Sequence, residues 1–264
     1  MFRHKNLGEA AFILGIKIYR DRSKRLIRLS QSAYMDKILR RFKIDTSKRG
    51  YIPMQERHDL NKTQGASTPR EVKRMQNVPY ASAVGSIMYA VRCTRPDVAF
   101  AQNITSHFQQ NPGEPHWTAV KTILKYLRNT KDMFLVYGGN PEAELRVDCY
   151  CNAEFETDRD EIKSQTGYVF ILNRRRSRLE KLQVKLGIIP TINEPIKMFC
   201  DNSAALLIAN EPVVQRGTRH YHRRYLLKVH TDDNLADPFT KDLSKEKLTQ
   251  HTRSMGLCLA SSFM

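Results

Sequence analysis

The spacing of apolar residues changes period along the chain, and the changes divide it into segments. The stretches AAFILGIKIY and RLIRLSQ, on either side of the polar DRSK, predict a β-hairpin ending near Gln31. SAYMDKILRRF then shifts to helical spacing, with Met35, Ile38, Leu39 and Phe42 on one face and Ser32 placed to cap the start. From Lys48 to Asn77 large apolar residues are sparse and Gly50, Pro53, Gly65 and Pro69 punctuate the chain, as in a surface connection. Helical spacing returns in YASAVGSIMYAVRC, TRPDVAFAQNITSHFQQ and EPHWTAVKTILKYLRNT, with Pro96 and Pro115 near the first turns and Asp97 placed to favour a helix dipole. In the last of these, Trp117, Val120, Ile123, Leu124 and Leu127 form the stripe expected to be buried. After Asp132 short strands take over in MFLVY, LRVDCY, GYVFIL and IKMFC, the last running into the helical SAALLIAN. The expected fold class is α+β or α/β, a helical block followed by a mixed sheet with helices.

One junction breaks the pattern. The run Tyr168–Leu172, bounded by Gly167 and Asn173, has the β-branched and aromatic content of a strand buried on both faces. It passes directly into Arg174, Arg175 and Arg176, and then into Leu179, Leu182 and Leu186 at helical intervals before Gly187 and Pro190. With no return strand, the edge of GYVFIL is expected to be unpaired, and order is expected to be poor around Arg174 to Lys185.

Charge narrows the functional classes. The chain has 264 residues, 41% of them hydrophobic, enough for one large core or two smaller ones. Lys and Arg number 44 against 27 Asp and Glu, a formal net charge of +17, which favours a polyanionic partner such as nucleic acid. No apolar run is long enough to span a membrane and the N-terminal MFRHKNLGEA lacks a signal-peptide core, so an intracellular, cytoplasmic or nuclear setting is expected. The five cysteines include no Cys-x-x-Cys pair, which disfavours a zinc knuckle or disulfide framework; Cys149 and Cys151 read as small buried strand residues. His220 and His222 read as part of a solvated basic turn.

Several stretches, in order along nearly the whole chain, resemble the carboxy-terminal part of copia-type retrotransposon polyproteins, where reverse transcriptase joins ribonuclease H. They are FILGIKIYRD, YASAVGSIMYAVRCTRPDVAFA, NPGEPHWTAVKTILKYLRNTKD, KSQTGYVFILN, FCDNSAAL, and DNLADPFTK followed by HTRSMGL. The resemblance implies a palm-end hairpin and thumb helix over 1–47, a polar connection over 48–79, a helical thumb and connection bundle over 80–132, and a degenerate ribonuclease H-like domain over 133–264. The family's Tyr-Val-Asp-Asp polymerase turn, which lies upstream of FILGIKIY, does not occur in this sequence. Polymerisation requires paired carboxylates holding two metal ions, so no DNA synthesis by this chain alone is expected.

The resemblance also assigns the nuclease carboxylates, which in the family hold Mg²⁺ ions. The first, in a Tyr-x-Asp-Ala context, falls on Asn152 in YCNA; an amide can ligate a metal but brings no charge. Asp148 and Glu154 share its strand face, about 13 and 7 Å away along the strand, too far or marginal for the same ion. The second, a Glu on a helix after the return strand, has no counterpart; Glu180 alone in the replacement segment reads as a surface partner of neighbouring basic residues. The third and fourth fall on Asp201 and Asp237, the retained candidates for catalysis and metal binding. The leading expectation is a catalytically inactive remnant that binds no Mg²⁺ productively. The alternatives are a non-catalytic protein binding RNA–DNA hybrid or duplex through Lys17, Arg25, Arg40, Arg41, Arg174, Arg175, Arg176, Arg223 and Arg224, a relic without a role, or a weak metal-dependent ribonuclease H.

Overall fold

The computed structural model describes residues 8–56, 59–138, 147–158, 163–172, 196–203, 206–207 and 225–259. In chain order the strands are β1 (Phe12–Ile13), β2 (Ile16–Asp21), β3 (Leu26–Ser30), β4 (Met133–Gly138), β5 (Val147–Asp158), β6 (Lys163–Leu172), β7 (Lys197–Cys200), β8 (Tyr225–Lys228) and β9 (Leu257–Leu259). The helices are α1 (Ser32–Arg41), α2 (Pro69–Gln76), α3 (Tyr80–Cys93), α4 (Ala99–Ser106), α5 (Glu114–Asn129) and, here numbered α6, Lys245–Ser254. The architecture is α+β.

The first apolar stretch folds on itself before the expected hairpin begins. β1 and β2 pair antiparallel across Leu14 and Gly15, whose φ angles are +50° and +76°. Positive φ at both central positions is the type I′ hairpin turn, whose twist matches that of the flanking strands. Gly15 adopts it without a Cβ clash, and Leu14 adopts it with its side chain projecting into solvent. β3 then pairs with β2 as DRSK predicts.

MFLVY, which the pattern groups with the later strands, belongs to the first sheet. β4 pairs antiparallel with β3, Leu29 opposite Leu135, and β9 pairs with β4, Leu135 opposite Leu257. The sheet order is β1-β2-β3-β4-β9. Residue 133 therefore marks no boundary between sheets: alternation identifies a strand, but its partner is set by burial of the matching face far along the chain.

α1, α3, α4 and α5 enclose the main core. Met35, Ile38, Leu39 and Phe42 are all buried there, with Ile87, Ile104, Ile123, Leu124 and Leu127. Burying one such aliphatic side chain contributes about 1.5–3 kcal/mol. Trp117 only flanks this core; the fully buried member of that turn is His116, whose Nδ1 accepts from the Gly113 N–H at 2.9 Å while its ring stacks on Phe108. Ser32 does not cap α1, which begins with Ser32 itself; the Ser32 N–H donates to Ser30 Oγ instead. The supposed polar connection contains α2, started by a capping box in which Thr68 accepts from the Glu71 N–H and Glu71 accepts from the Thr68 N–H. The sequence TPRE carries that signal.

Asp97 serves no exposed dipole. It sits in the 3-10 turn Pro96–Val98 beside Arg95, both residues 2% exposed, with Arg95 Nη2 to Asp97 Oδ2 at 2.6 Å and Arg95 Nε to Oδ1 at 2.9 Å. The Arg95 guanidinium also donates to the carbonyl and hydroxyl oxygens of Thr130, and the Tyr126 hydroxyl donates to Asp97 at 2.7 Å. Burial pushes the Tyr126 pKa up, so the hydroxyl remains a donor at any ordinary pH.

The second sheet has the order β6-β5-β7-β8, with β5 and β6 antiparallel and β5, β7 and β8 parallel. Among the described residues β6 is an edge. Nor is it buried on both faces as its composition suggests: Gly167 and Ile171 are buried, but Tyr168 is 62% exposed, because the turn at 237–239 packs on one face only. The segment Arg174 to Lys185 lies outside the described residues.

Removing Asp97 should leave an uncompensated buried guanidinium. Asp97→Ala is expected to destabilise the chain by about 3–5 kcal/mol in urea unfolding, far more than the exposed pair mutant Asp232→Ala.

Candidate active site

Parallel pairing of β5 with β7 sets Cys151 opposite Cys200, so the next residues along, Asn152 and Asp201, emerge side by side. They meet the segment Asn234–Lys241, which contains the 3-10 turn Asp237–Phe239. The Asn152 amide nitrogen donates to Asp237 Oδ1 and to Thr240 Oγ1, both at 2.9 Å. Asp237 Oδ2 takes the Lys241 ammonium at 2.7 Å. Asn234 donates from its amide to Asp201 Oδ1 at 3.0 Å and to the Cys151 carbonyl at 3.1 Å, and its own oxygen accepts from the Ala236 N–H. The three residues expected at the site thus converge, Asn152 and Asp237 directly and Asp201 through Asn234.

The turn reaches the sheet because β6 lets it. Gly167 lies opposite Asn152, and a Cβ there would stand 2.6 Å from Phe239 Cβ and 3.0 Å from Thr240 Cγ2. Gln165 on the same face donates to the Phe239 carbonyl at 2.7 Å. Asn234, Thr240, Lys241, Gln165 and Gly167 were not candidates on sequence grounds. The usable signal was the helical spacing in DNLADPFTK, which places Lys241 four residues after Asp237.

The Lys241 ammonium offsets the charge of the Asp237 carboxylate it contacts. Burial raises the Asp237 pKa above the ordinary carboxylate value, Lys241 opposes that shift, and the neighbouring Asp201 adds to it. On the other side of the sheet, burial beside Cys200 pushes the Cys151 thiol up to about 12, so it is protonated and unreactive at neutral pH.

A two-Mg²⁺ site requires several carboxylates around a shared space. Here Asp237 has one oxygen held by an ammonium and the other by an amide, and Asn152 directs both amide hydrogens at acceptors. Among the described residues no three His, Cys, Asp or Glu side chains converge as metal ligands. Among the described residues, the side chains at this cluster do not fit a two-metal centre. Asp148 on β5 lies opposite Lys197 on β7. The Glu154 side chain and residues Glu180, His220 and His222 lie outside what the structure describes.

The candidate nucleic-acid residues are elsewhere. Lys17 on β2 is exposed, its ammonium 4.6 Å from the Tyr19 ring centre. Arg25 occupies the turn before β3 with φ +45°, and Arg40 and Arg41 end α1 on its exposed side. Arg174, Arg175, Arg176, Arg223 and Arg224 lie outside the described residues.

The fold and this carboxyl-and-amide cluster define a mixed α+β chain with a polar turn seated on a mixed sheet. The chain is 34% identical to the retrovirus-related Pol polyprotein from transposon TNT 1-94 of Nicotiana tabacum over 286 aligned positions, covering 93% of this chain and 21% of that polyprotein. It is 27% identical to the Pol polyproteins from transposons RE2 and RE1 of Arabidopsis thaliana, each match covering 97% of this chain and 20% of the relative. The chain belongs to the family of retrovirus-related Pol polyproteins from copia-type transposons. It spans about one fifth of the length of these relatives. No protein-family model matches it, and no solved structure matches it.

Asn152→Asp should set two carboxyls against each other and remove both amide donations, costing about 1–3 kcal/mol in urea unfolding. Each carboxyl is then raised in the folded state, so the native form holds its proton to higher pH than the unfolded chain. The deficit should therefore be small at pH 4 and grow as pH rises toward 8; a deficit that shrinks with rising pH would contradict this geometry.

Proposed function

We propose that this chain is a remnant of the reverse transcriptase and ribonuclease H region of a Pol polyprotein, and that it has no nuclease activity. The observation that carries this reading is the Asn152–Asp237–Lys241 cluster. Where the family resemblance calls for converging carboxylates, one position is an amide turned donor and another is neutralised by a lysine. Groups that act as one catalytic unit are lost together, so two surviving carboxylates do not retain a fraction of the activity.

Two further observations support a ribonuclease H-like ancestry with pieces missing. The second sheet joins an antiparallel pair to two parallel strands, and the site residues lie where β5 and β7 run side by side. Among the described residues β6 is an edge of that sheet, on the side where the return strand expected from the family resemblance would pair. The aligned stretches of 286 and 301 positions also exceed the 264 residues of the whole chain, so the relatives carry residues with no counterpart in it.

The purified chain is expected to leave the RNA strand of an RNA–DNA hybrid intact in Mg²⁺ or Mn²⁺, read by gel electrophoresis. Metal-dependent cleavage that disappears in Asp201→Asn would refute the proposal.

A second reading, non-specific nucleic-acid binding, is favoured by the exposure of Lys17, Arg25, Arg40 and Arg41 in a chain of net charge +17. Such binding releases condensed counterions, with a slope of log affinity against log salt of about −0.9 per phosphate neutralised on duplex DNA. Fluorescence titration should show affinity for duplex and hybrid that falls steeply with salt and ignores base sequence. Replacing Lys17, Arg40 and Arg41 by Ala should flatten the slope by up to about 3.

A further inference from the structure

A cavity of about 460 Å³ separates β6 from α3 and α4. Four consecutive residues of β6, Gln165 to Tyr168, line it. Side chains along a strand alternate between faces, so consecutive residues share one cleft only along the strand's edge. The backbone of β6 therefore forms that wall. In an antiparallel pair every second residue turns both its N–H and its C=O away from the partner. β5 occupies one side of β6, and among the described residues no strand pairs with the other.

Edges are usually guarded against pairing by charge, proline or a bulge. The sequence from Gln165 to Tyr168 carries neither charge nor proline, and its register with β5 is regular from Val147 to Glu154. The opposite wall suits the outer side of an added strand. Gln102 and Asn103 of α4, with Gln109 just beyond it, offer amides, while Met88 on α3 gives an apolar contact. Arg92 supplies the charge; its side chain is exposed and makes no hydrogen bond or ion pair with the described residues.

We propose that this cleft binds an extended, acidic peptide segment of a partner protein by strand addition to β6. Main-chain hydrogen bonds to the side of β6 that no described strand pairs give the affinity, as in other strand-addition sites. Arg92 and the net charge of +17 select acidic over basic segments. Nucleic acid is the poorer fit. A phosphate backbone demands a row of cations, whereas Arg92 is the one cation among the described residues of the lining and a phosphate has no use for strand carbonyls. The inference is independent of the nuclease reading and would survive its failure.

The test uses the full chain and a fluorescein-labelled, end-capped peptide of about eight residues alternating Glu with Val and Thr. Saturable binding is expected, together with slowed amide exchange within Gln165–Tyr168. Arg92→Glu should weaken the acidic peptide about tenfold and strengthen its Lys-substituted counterpart. N-methylation of alternate peptide amides should abolish binding in one phase and spare it in the other. The proposal is overturned by the absence of saturable binding, by binding that leaves the β6 amides unprotected, or by indifference to N-methylation. It is equally overturned if a single-stranded oligonucleotide displaces the peptide and protects the same amides.

Discussion

The buried ion pair of Arg95 and Asp97 is the constraint on which the rest of the chain depends. Two charges removed from water destabilise unless every donor and lone pair is matched, and here the matching groups come from separate elements. Thr130 and Tyr126 belong to the end of α5, and the pair itself lies between α3 and α4. The turn Pro96–Val98 that carries Asp97 touches both the Asp237–Phe239 turn and α6. The helical core is thereby tied to the segment that bears the candidate site.

That segment fixes the character of the site. Asp237 is buried, and a buried carboxylate must be neutralised or protonated. The amide at Asn152 and the ammonium at Lys241 provide for this within the chain, so the cluster closes on itself. A carboxylate at Asn152 would instead leave two like charges whose compensation would have to come from outside. Asn152 thus supplies a structural hydrogen bond to the buried Asp237 carboxylate, and that bond holds the Asp237–Phe239 turn against the sheet.

β6 shows how one strand can be held by one face and one side. Its glycine admits the Asp237–Phe239 turn on one face, and β5 pairs with one edge. Among the described residues its other edge borders a polar cleft rather than a strand. The hydrogen-bonding capacity of that edge follows from topology alone, because alternate residues of an antiparallel edge strand face outward whatever their side chains.

Much of this was legible in the amino-acid order. The apolar stripes of α1, α3, α4 and α5, the strands from LRVDCY to IKMFC, and the candidacy of Asn152, Asp201 and Asp237 follow from local spacing and motif resemblance. Capping at Thr68 and the salt-linked turn from Asp237 to Lys241 are written there too, as short-range patterns. What spacing does not encode is the partner. MFLVY had to be seen beside β3 and β9, Asp97 beside a buried arginine and a tyrosine 29 residues later, and Asn152 beside a carboxylate 85 residues later. Periodicity states which face of an element avoids water, a property of a few neighbouring residues. Which elements meet, and which polar groups must then satisfy one another, depends on long-range packing, and only the tertiary structure decided it.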